Sequence, residues 1–561
     1  MVRQQKKTDL KYFTLGVVLL ILLNLLAGVF FTRFDFTAEK RFTISENSKQ
    51  ILKGIDEPVR ITVFLEGNFP AGFKRLRNAT ADLLADFKAY SKSDMEIDFI
   101  DPTYGRNEQE QQEFFAYLYE KGLEPTNLSV KTEDGFSQKV IFPAALVSYK
   151  EESIPVKLLQ SRMGLSPDEV LNNSIQNLEY AFISAIKKAA SGGKPRVAFT
   201  EGHGELSDLQ LQDAMKALSD GYEVGRIDLA QVTKEGLDKL NVLIVAKPNT
   251  AFSELEKIKI DQFLVKGGKV FFALDQVHAE LDSMQRGLGE QLAFQRDLNL
   301  DDQLFKYGIR VNYDLIGDMN CAQIPMSIGN VGGQGQLQMV PWLFYPIIMP
   351  VSKHPLVRNL EGIKTEFISS IDTIASNHLQ KTVLLETSPF NRVLQAPTLI
   401  SLNMVEDVPD PEKFRSKPKA VCVLVEGKFS SVFKNRAIPE GYNSPLQPEA
   451  EKEGRMLVFS DGDMLKNQIA QDGSVYPLGF DRYTSQSFGN KTFLLNIVDY
   501  LTNDGDLISL RSKEIKLRLL DKGKLKEEKL KWQLINMLLP VGLLIIAGIF
   551  QHLYRKRKYA V

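Results

Sequence analysis

The residues best placed to do chemistry fall where three apolar runs end. The run 196-RVAFT-200 leads into Glu201, His203 and Glu205, with glycines on both sides of the histidine. The run 270-VFFAL-274 leads into Asp275 and His278, and 456-MLVFS-460 leads into Asp461 and Asp463. If one sheet gathers these ends, imidazole and carboxylate groups converge where doubly wound sheets bind their ligands, as a hydrolytic, metal-binding or ligand-binding set. His203, flanked by Gly202 and Gly204, is expected in an exposed and conformationally free position. The competing reading is that such residues only cap helices and solvate loops at strand ends. The sequence therefore offers Glu201, His203, Glu205, Asp275, His278, Asp461 and Asp463 as a ligand-binding crevice, and no catalytic residue, metal centre or cofactor is expected.

Other chemistries lack their motifs. A phosphate-cradling loop needs G-x-x-x-x-G-K followed by Ser or Thr, and the nearest stretches, 192-GGKP-195 and 267-GGKV-270, lack both the spacing and the hydroxyl. No G-x-G-x-x-G opens a helix after the first strand of either α/β region, and no G-x-S-x-G elbow is present. Cys422 lies in the apolar stretch VCVLV, where a thiolate would be desolvated, and Cys321 has no histidine close in sequence. The Gly-rich 328-IGNVGGQGQ-336 reads as a mobile or partner-docking loop, and the WLFYPIIMP run after it as core or as an aromatic contact patch.

The elements that would position these residues alternate between strand and helix. In a first region, residues 40–190, Thr43 or Ser45 caps a helix starting near Glu46, and VRITVFLE is a strand. Helices follow at Leu76 to Tyr90, Gln111 to Tyr119 and Glu169 to Ala189, with strands at Met95 to Ile100 and Lys139 to Tyr149. After 191-SGGKP-195 the alternation restarts and defines a second α/β domain over 195–505, with a lobe or insertion at about 280–418. The runs 242-VLIVA-246 and 270-VFFAL-274 are apolar at every position, as expected for central strands of an open parallel sheet covered on both faces. The stretch 320–350 is too broken by Gly and Pro to cross a membrane and reads as a long loop or hairpin.

The ends differ from the rest. Tyr12 to Phe31 carries no charge, and twenty helical residues span about 30 Å of hydrocarbon. Leu534 to Tyr554 is likewise uncharged. Basic tails at 1–11 and 555–561 keep both ends cytoplasmic by the positive-inside rule. Transmembrane helices at 12–32 and 534–554 would then leave the bulk of the chain periplasmic, anchored in the inner membrane. Between domain and second helix, 511–532 is basic, and Lys522, Lys524, Lys526, Lys529 and Lys531 are suited to contact a partner or anionic lipid. Over all 561 residues, 69 basic and 70 acidic side chains leave a net charge of -1, which argues against nucleic-acid binding.

Taken in order, 41-RFTISENSKQILKGIDEPVRITVFLEG-67, 195-PRVAFTEGHGE-205, 241-NVLIVAKPNTAFSELEKIKIDQFLVKGGKVFFALDQV-277 and 488-FGNKTFLLNIVDYL-501 give the chain a resemblance to a known family. It resembles the auxiliary, substrate-binding-like protein G associated with the gliding-motility ABC transporter of Bacteroidetes. The resemblance implies a sheet domain similar to those of intraflagellar-transport proteins and class I glutamine amidotransferases. Amidotransferases carry a nucleophilic cysteine on a strand-to-helix elbow, and 200-TEGHGE-205 offers none, which implies a scaffold or a ligand-binding part. A separate ABC ATPase, a membrane permease, and a role in gliding or surface-protein secretion are implied by the resemblance alone.

Overall fold

A computed structural model describes residues 11–22, 43–502 and 522–559, apart from 68, 124, 133–134, 160–165, 191–192, 288, 332–333, 359, 376–377, 406–410 and 471. Ser45 caps α1 (Glu46–Lys53), its hydroxyl accepting the Ser48 N–H. Buried Glu179 accepts from Ser45 N at 2.6 Å and Ser48 Oγ at 2.7 Å, fastening α1 to a later helix.

The first region is built on a four-stranded sheet. Its members are β1 (Val59–Val63), β2 (Met95–Phe99), β3 (Ala144–Tyr149) and β4 (Glu152–Lys157), in the order β2-β1-β3-β4. β2 is parallel to β1, and the other pairings are antiparallel. Val59, Ile61 and Val63 point into the core while Arg60 pairs with Glu96 on the adjacent strand, the period-two pattern of a half-buried strand. Two long helices, α2 (Ala71–Tyr90) and α3 (Pro167–Ala190), pack on one another, and α3 lies on β3 and β4. The single strand expected over 139–149 is two, because Phe142-Pro143 separates β3 from a hairpin of Thr126–Thr132 with Gly135–Ile141. Proline has no N–H to give a ladder.

The second region centres on nine strands: β5 (Arg196–Glu201), β6 (Glu223–Asp228), β7 (Val242–Ala246), β8 (Lys269–Ala273), β9 (Ile309–Val311), β10 (Ile371–Thr373), β11 (Leu379–Glu386), β12 (Ala420–Gly427) and β13 (Gly454–Phe459). The order is β9-β10-β12-β13-β8-β7-β5-β6, with β11 also on β12. The expectation of an open parallel sheet is corrected here. β6, β5, β7, β8 and β13 are parallel, but β12 runs against β13, and the strands beyond it are antiparallel too. The sheet is mixed, because the chain returns to its edge through short antiparallel excursions rather than helical crossovers.

The apolar run of β7 follows from burial on both faces. Val242 and Ile244 join the core beneath α4 (Asp208–Ser219) and α6 (Asn490–Thr502), whereas Leu243 and Val245 join the opposite core with Ile258 and Phe263 of α5 (Glu254–Val265). Between β8 and β12, small antiparallel sheets enclose a further core that includes Trp342, Phe344, Tyr345 and Ile400. The stretch 320–350 is thus a hairpin, Cys321–Val331 with Gln334–Ile348, and the WLFY run is interior.

The C-terminal unit is α7 (Lys522–Tyr559), whose stretch Glu528–Arg557 contains 18 consecutive residues with a mean hydropathy of 2.1 and is long and apolar enough to cross a membrane. It contains the expected 534–554 span and begins with Lys522, Lys524 and Lys526; Lys529 and Lys531 are exposed. Residues 511–521 lie outside the described residues. So do 23–32, which leaves the N-terminal helix as Lys11–Leu22, and among the described residues one helix, not two, has membrane-spanning length.

The two α/β regions are joined by a buried polar knot. Asp499 of α6 accepts from the hydroxyls of Tyr180 and Tyr222 and from Lys188 Nζ at 3.1 Å, and both Tyr180 and Lys188 belong to α3. Burial, then the Asp499 charge, push the Tyr222 hydroxyl well above its ordinary pKa, so it stays a donor. Asp499→Ala removes the carboxylate shared by two buried phenols and a lysine and is expected to lower stability by roughly 2–4 kcal/mol, seen as a fall in the urea midpoint of the detergent-solubilised chain. An unchanged midpoint would show that the knot does not hold the regions together.

Candidate functional site

Parallel pairing brings the charged residues together. Val245 of β7 is level with Phe272 of β8, which is level with Val458 of β13, so the residues just beyond these strands meet at one sheet edge. Lys247 follows β7 with a left-handed backbone (φ 55°) and is 5% exposed. Its Nζ lies 2.6 Å from Asp463 Oδ2 and 3.3 Å from Asp275 Oδ2. Gly462 crosses directly over it, and a Cβ there would stand 2.4 Å from Lys247 Cβ, so this approach requires glycine. Asp275 Oδ1 accepts from Gly462 N at 2.6 Å, and Asp461 accepts from Asp463 N at 2.7 Å and Glu366 N at 2.9 Å.

The electrostatics of this cluster divide its members. Burial by itself would lower the Lys247 pKa, but the charges of Asp463 and Asp275 outweigh it and keep the ammonium protonated. Asp463 resists its own burial through Lys247 and Lys466 and is held at about 2. Asp275 and Asp461 are raised by burial, the first opposed by Lys247 and the second raised further by Asp463. Glu366 is raised by burial and by Asp463. Oxygens of Asp275, Asp461 and Asp463 lie within 4.8 Å of one another, a donor set suited to a hard divalent cation. The Lys247 ammonium already supplies the positive charge there, so a resident metal does not fit this arrangement.

Beside the cluster is a cleft of about 410 Å³. The chain goes from β5 outward to β6 and then back to β7 on the other side of β5, so the strand order reverses between β5 and β7. Open α/β sheets bind ligands at that crevice. Gly204 and Glu205 after β5, and Lys247 and Asn249 after β7, line it, together with Glu280, Asp282, Tyr345, Lys364, Glu366, Lys466 and Arg482. Phe367, next to Glu366, is a second residue in the left-handed region (φ 52°). Two non-glycine residues held in that region beside one cleft mark backbone strain, which concentrates at functional sites.

The structure brings together Asp275, Asp461 and Asp463 but not the histidines. The exposed position expected for His203 is corrected: it is 5% exposed, stacked on Phe252 with ring centroids 4.0 Å apart, and its Nε2 is 3.1 Å from Glu256 Oε2. Its backbone N donates to Glu205 Oε2 at 2.7 Å, while its carbonyl accepts from Asn249 and Thr250 N–H. It therefore fastens the loop after β5 to α5 and the loop after β7. Glu201 is exposed and pairs with Arg226, and His278 Nδ1 accepts from Arg296 at 2.9 Å, with burial and then Arg296 lowering its pKa. Glu201, His203 and His278 do not line the cleft, whereas Glu205 does.

Sequence reasoning missed Lys247, Glu366 and Lys466. A lysine directly after the all-apolar VLIVA was the available signal, since a charge at the end of a buried strand needs partners. Both cysteines are remote from thiolate chemistry: burial pushes Cys422 well up, and burial followed by Asp318 pushes Cys321 to about 11.

Comparisons with known proteins match two stretches of the chain. The family described as "ABC-type uncharacterized transport system" matches residues 194–497, more than half of the chain, and a domain of unknown function, DUF7088, matches 38–148. A protein of Borreliella burgdorferi, named "Uncharacterized protein", is 23% identical over 573 residues, covering 99% of each chain. Among solved structures, the mmIFT52 N-terminal domain aligns over 55% of this chain and 97% of its own at 14% identity, with a TM-score of 0.31. The exo-beta-1,4-mannosidase Op5Man5 from Opitutaceae bacterium strain TAV5 aligns over 86% of this chain and 56% of its own at 10% identity, with a TM-score of 0.18. TM-scores this low do not establish a shared fold.

Lys247→Met strands buried carboxylates and is expected to cost about 3–5 kcal/mol at neutral pH. The sign with pH is set by the shifts. The depressed Asp463 contributes stability above the ordinary carboxylate range and loses it as pH falls towards about 2. In Lys247→Met the buried acids that have lost this ammonium, Asp275 above all, bind protons more readily folded than unfolded, so the deficit shrinks as pH falls from 7 to 4. Urea midpoints of both proteins across that range check it, and a deficit that grows on acidification contradicts it.

Proposed function

We propose, since the chain belongs to the ABC-type transport auxiliary family, that it is a noncatalytic, membrane-anchored accessory subunit working beside a separate ABC ATPase and a membrane permease. The family match over 194–497 is the observation that carries this reading. The membrane-length stretch Glu528–Arg557 supports the anchor. The sequence supplies no phosphate-cradling loop of its own, so the energy of ATP would reach it through a partner.

The finer reading has two anchors, at 12–32 and 534–554, an inner-membrane location, and domains 40–190 and 195–505 in the periplasm. The uncharged N-terminal stretch and the basic outer tails support it. A link to gliding motility or surface-protein secretion rests on the resemblance of the quoted segments. The residues from Lys522 to Lys531 begin the helix that enters the membrane, and their place favours contact with anionic headgroups or an acidic partner. The strand-end cleft makes ligand reception a second use of the same subunit, because it lies at the reversal of strand order and is lined by charged side chains.

Detergent extraction of the tagged full chain is expected to co-recover an ABC ATPase and a multi-span permease, while the chain purified away from them releases no phosphate from Mg-ATP. Recovery of neither partner, or saturable hydrolysis by the isolated chain, contradicts the proposal. Replacing Lys522, Lys524, Lys526 and Lys529 with glutamine should weaken partner recovery and flatten its salt dependence. Unchanged recovery at low and high salt would make the segment a solvated tether. A reporter fused at residue 250 should behave as periplasmic, and a cytoplasmic signal overturns the topology.

A further inference from the structure

The cleft carries groups of both charges, and one of them is conspicuously incomplete. Glu205 has a fully buried side chain (0% exposed); its Oε2 accepts from His203 N, but its Oε1 has no hydrogen-bond partner. The nearest candidate, His203 Nδ1, is 3.7 Å away and is itself unpartnered. That separation is beyond hydrogen-bond range. A buried carboxylate oxygen left in this state is costly unless a donor arrives from outside. Glu205 lines the cleft, so the cleft is where that donor enters. Glu280 and Asp282 add acidic groups to the same lining.

The same cleft holds three cations that are fixed but not used up. Lys364 Nζ lies 3.3 Å from Asp481, Lys466 Nζ 3.3 Å from Asp463, and Arg482 Nη1 donates to the Ile469 carbonyl at 2.9 Å. An ammonium has three N–H donors and a guanidinium five, so each retains capacity for an acceptor brought by a ligand. Lys466 stays protonated through Asp463 despite its burial. An anion would meet these cations but also the four carboxyl groups of Glu205, Glu280, Asp282 and Glu366, and a simple cation would meet the reverse. A neutral sugar would satisfy neither set. A ligand with separated positive and negative ends satisfies both.

Resting on the reading of this chain as a ligand-receiving transport accessory, we infer that the strand-end cleft binds a short peptide with free termini, its ammonium at Glu205 and its carboxylate at Lys364, Lys466 and Arg482. A cleft of about 410 Å³ is within the usual range for small-ligand sites. Amide side chains of Gln210, Gln323 and Gln468 in the lining match the N–H and C=O groups of peptide bonds. Lys247 in the lining and Phe367, next to the lining residue Glu366, both have left-handed backbones.

The test uses the full chain in detergent, isolated from any partner, so that its outcome is independent of whether an ATPase and permease are recovered. The probe is a synthetic pool of Ala-X-Ala tripeptides with X uncharged, titrated calorimetrically. Saturable binding is expected, with at least tenfold weakening when both termini are blocked by acetylation and amidation. Glu205→Gln keeps the acceptor for His203 N and should weaken binding at least tenfold, as should Lys466→Gln. Glu201→Gln, outside the cleft, should not change it. Unaltered thermal midpoints separate these losses from misfolding, and if Glu205→Gln lowers the midpoint, Lys466→Gln decides. No saturable binding at millimolar peptide, equal binding of the blocked pool, equal binding of maltotriose, or wild-type affinity in folded Lys466→Gln overturns the inference.

Discussion

The second α/β region is organised around one buried cation. Lys247 stands at the end of the central strand of a parallel set, where desolvation would expel an ammonium unless carboxylates met it, and Asp275, after the adjacent β8, and Asp463, after β13 one strand further on, do so. This arrangement constrains the backbone as much as the charges. Gly462 is required by the close approach to Lys247, and Asp275 and Asp461 are spent on backbone N–H groups of the loops that close over the cluster. The loops after β8 and β13, and the segment around Glu366, are thereby fixed to one another at the edge where the cleft opens.

The same logic of buried charge met by directed donors recurs where the pieces join. Asp499 gathers two phenols and a lysine between the two α/β regions, and Asp261 accepts from Tyr307, Ser431 and the Val432 N–H to tie α5 to the loop after β12. Apolar burial on both faces of β7 supplies the bulk of the cohesion. The acidic contacts select which loops sit where. Around the cleft this selection leaves Glu205 with an open oxygen and three cations with spare donors.

Much of this was legible in the chain before the fold. Runs such as VLIVA gave central strands because a strand covered on both faces must be apolar at every position, and Ser45 announced a helix start by its capping chemistry. The gathering of Asp275, Asp461 and Asp463 followed from their shared place after parallel strands. Other features depended on distant residues. His203 between two glycines suggested exposure, yet Phe252 and Glu256, some fifty positions on, bury it. The antiparallel half of the sheet was obscured because its strands are short and scattered through 309–427, and a three-residue strand such as β9 has too few positions to show a period.

Hydrogen exchange on Lys247→Met compared with wild type tests the organising role of this cation most directly. The account predicts that protection falls in the segments 201–206, 361–369 and 460–469, which meet around the buried charge, while the sheet of the first region, residues 59–63 and 144–157, keeps its protection. Unchanged exchange at those strand ends, or an even loss across both regions, would show that the cluster does not organise the cleft.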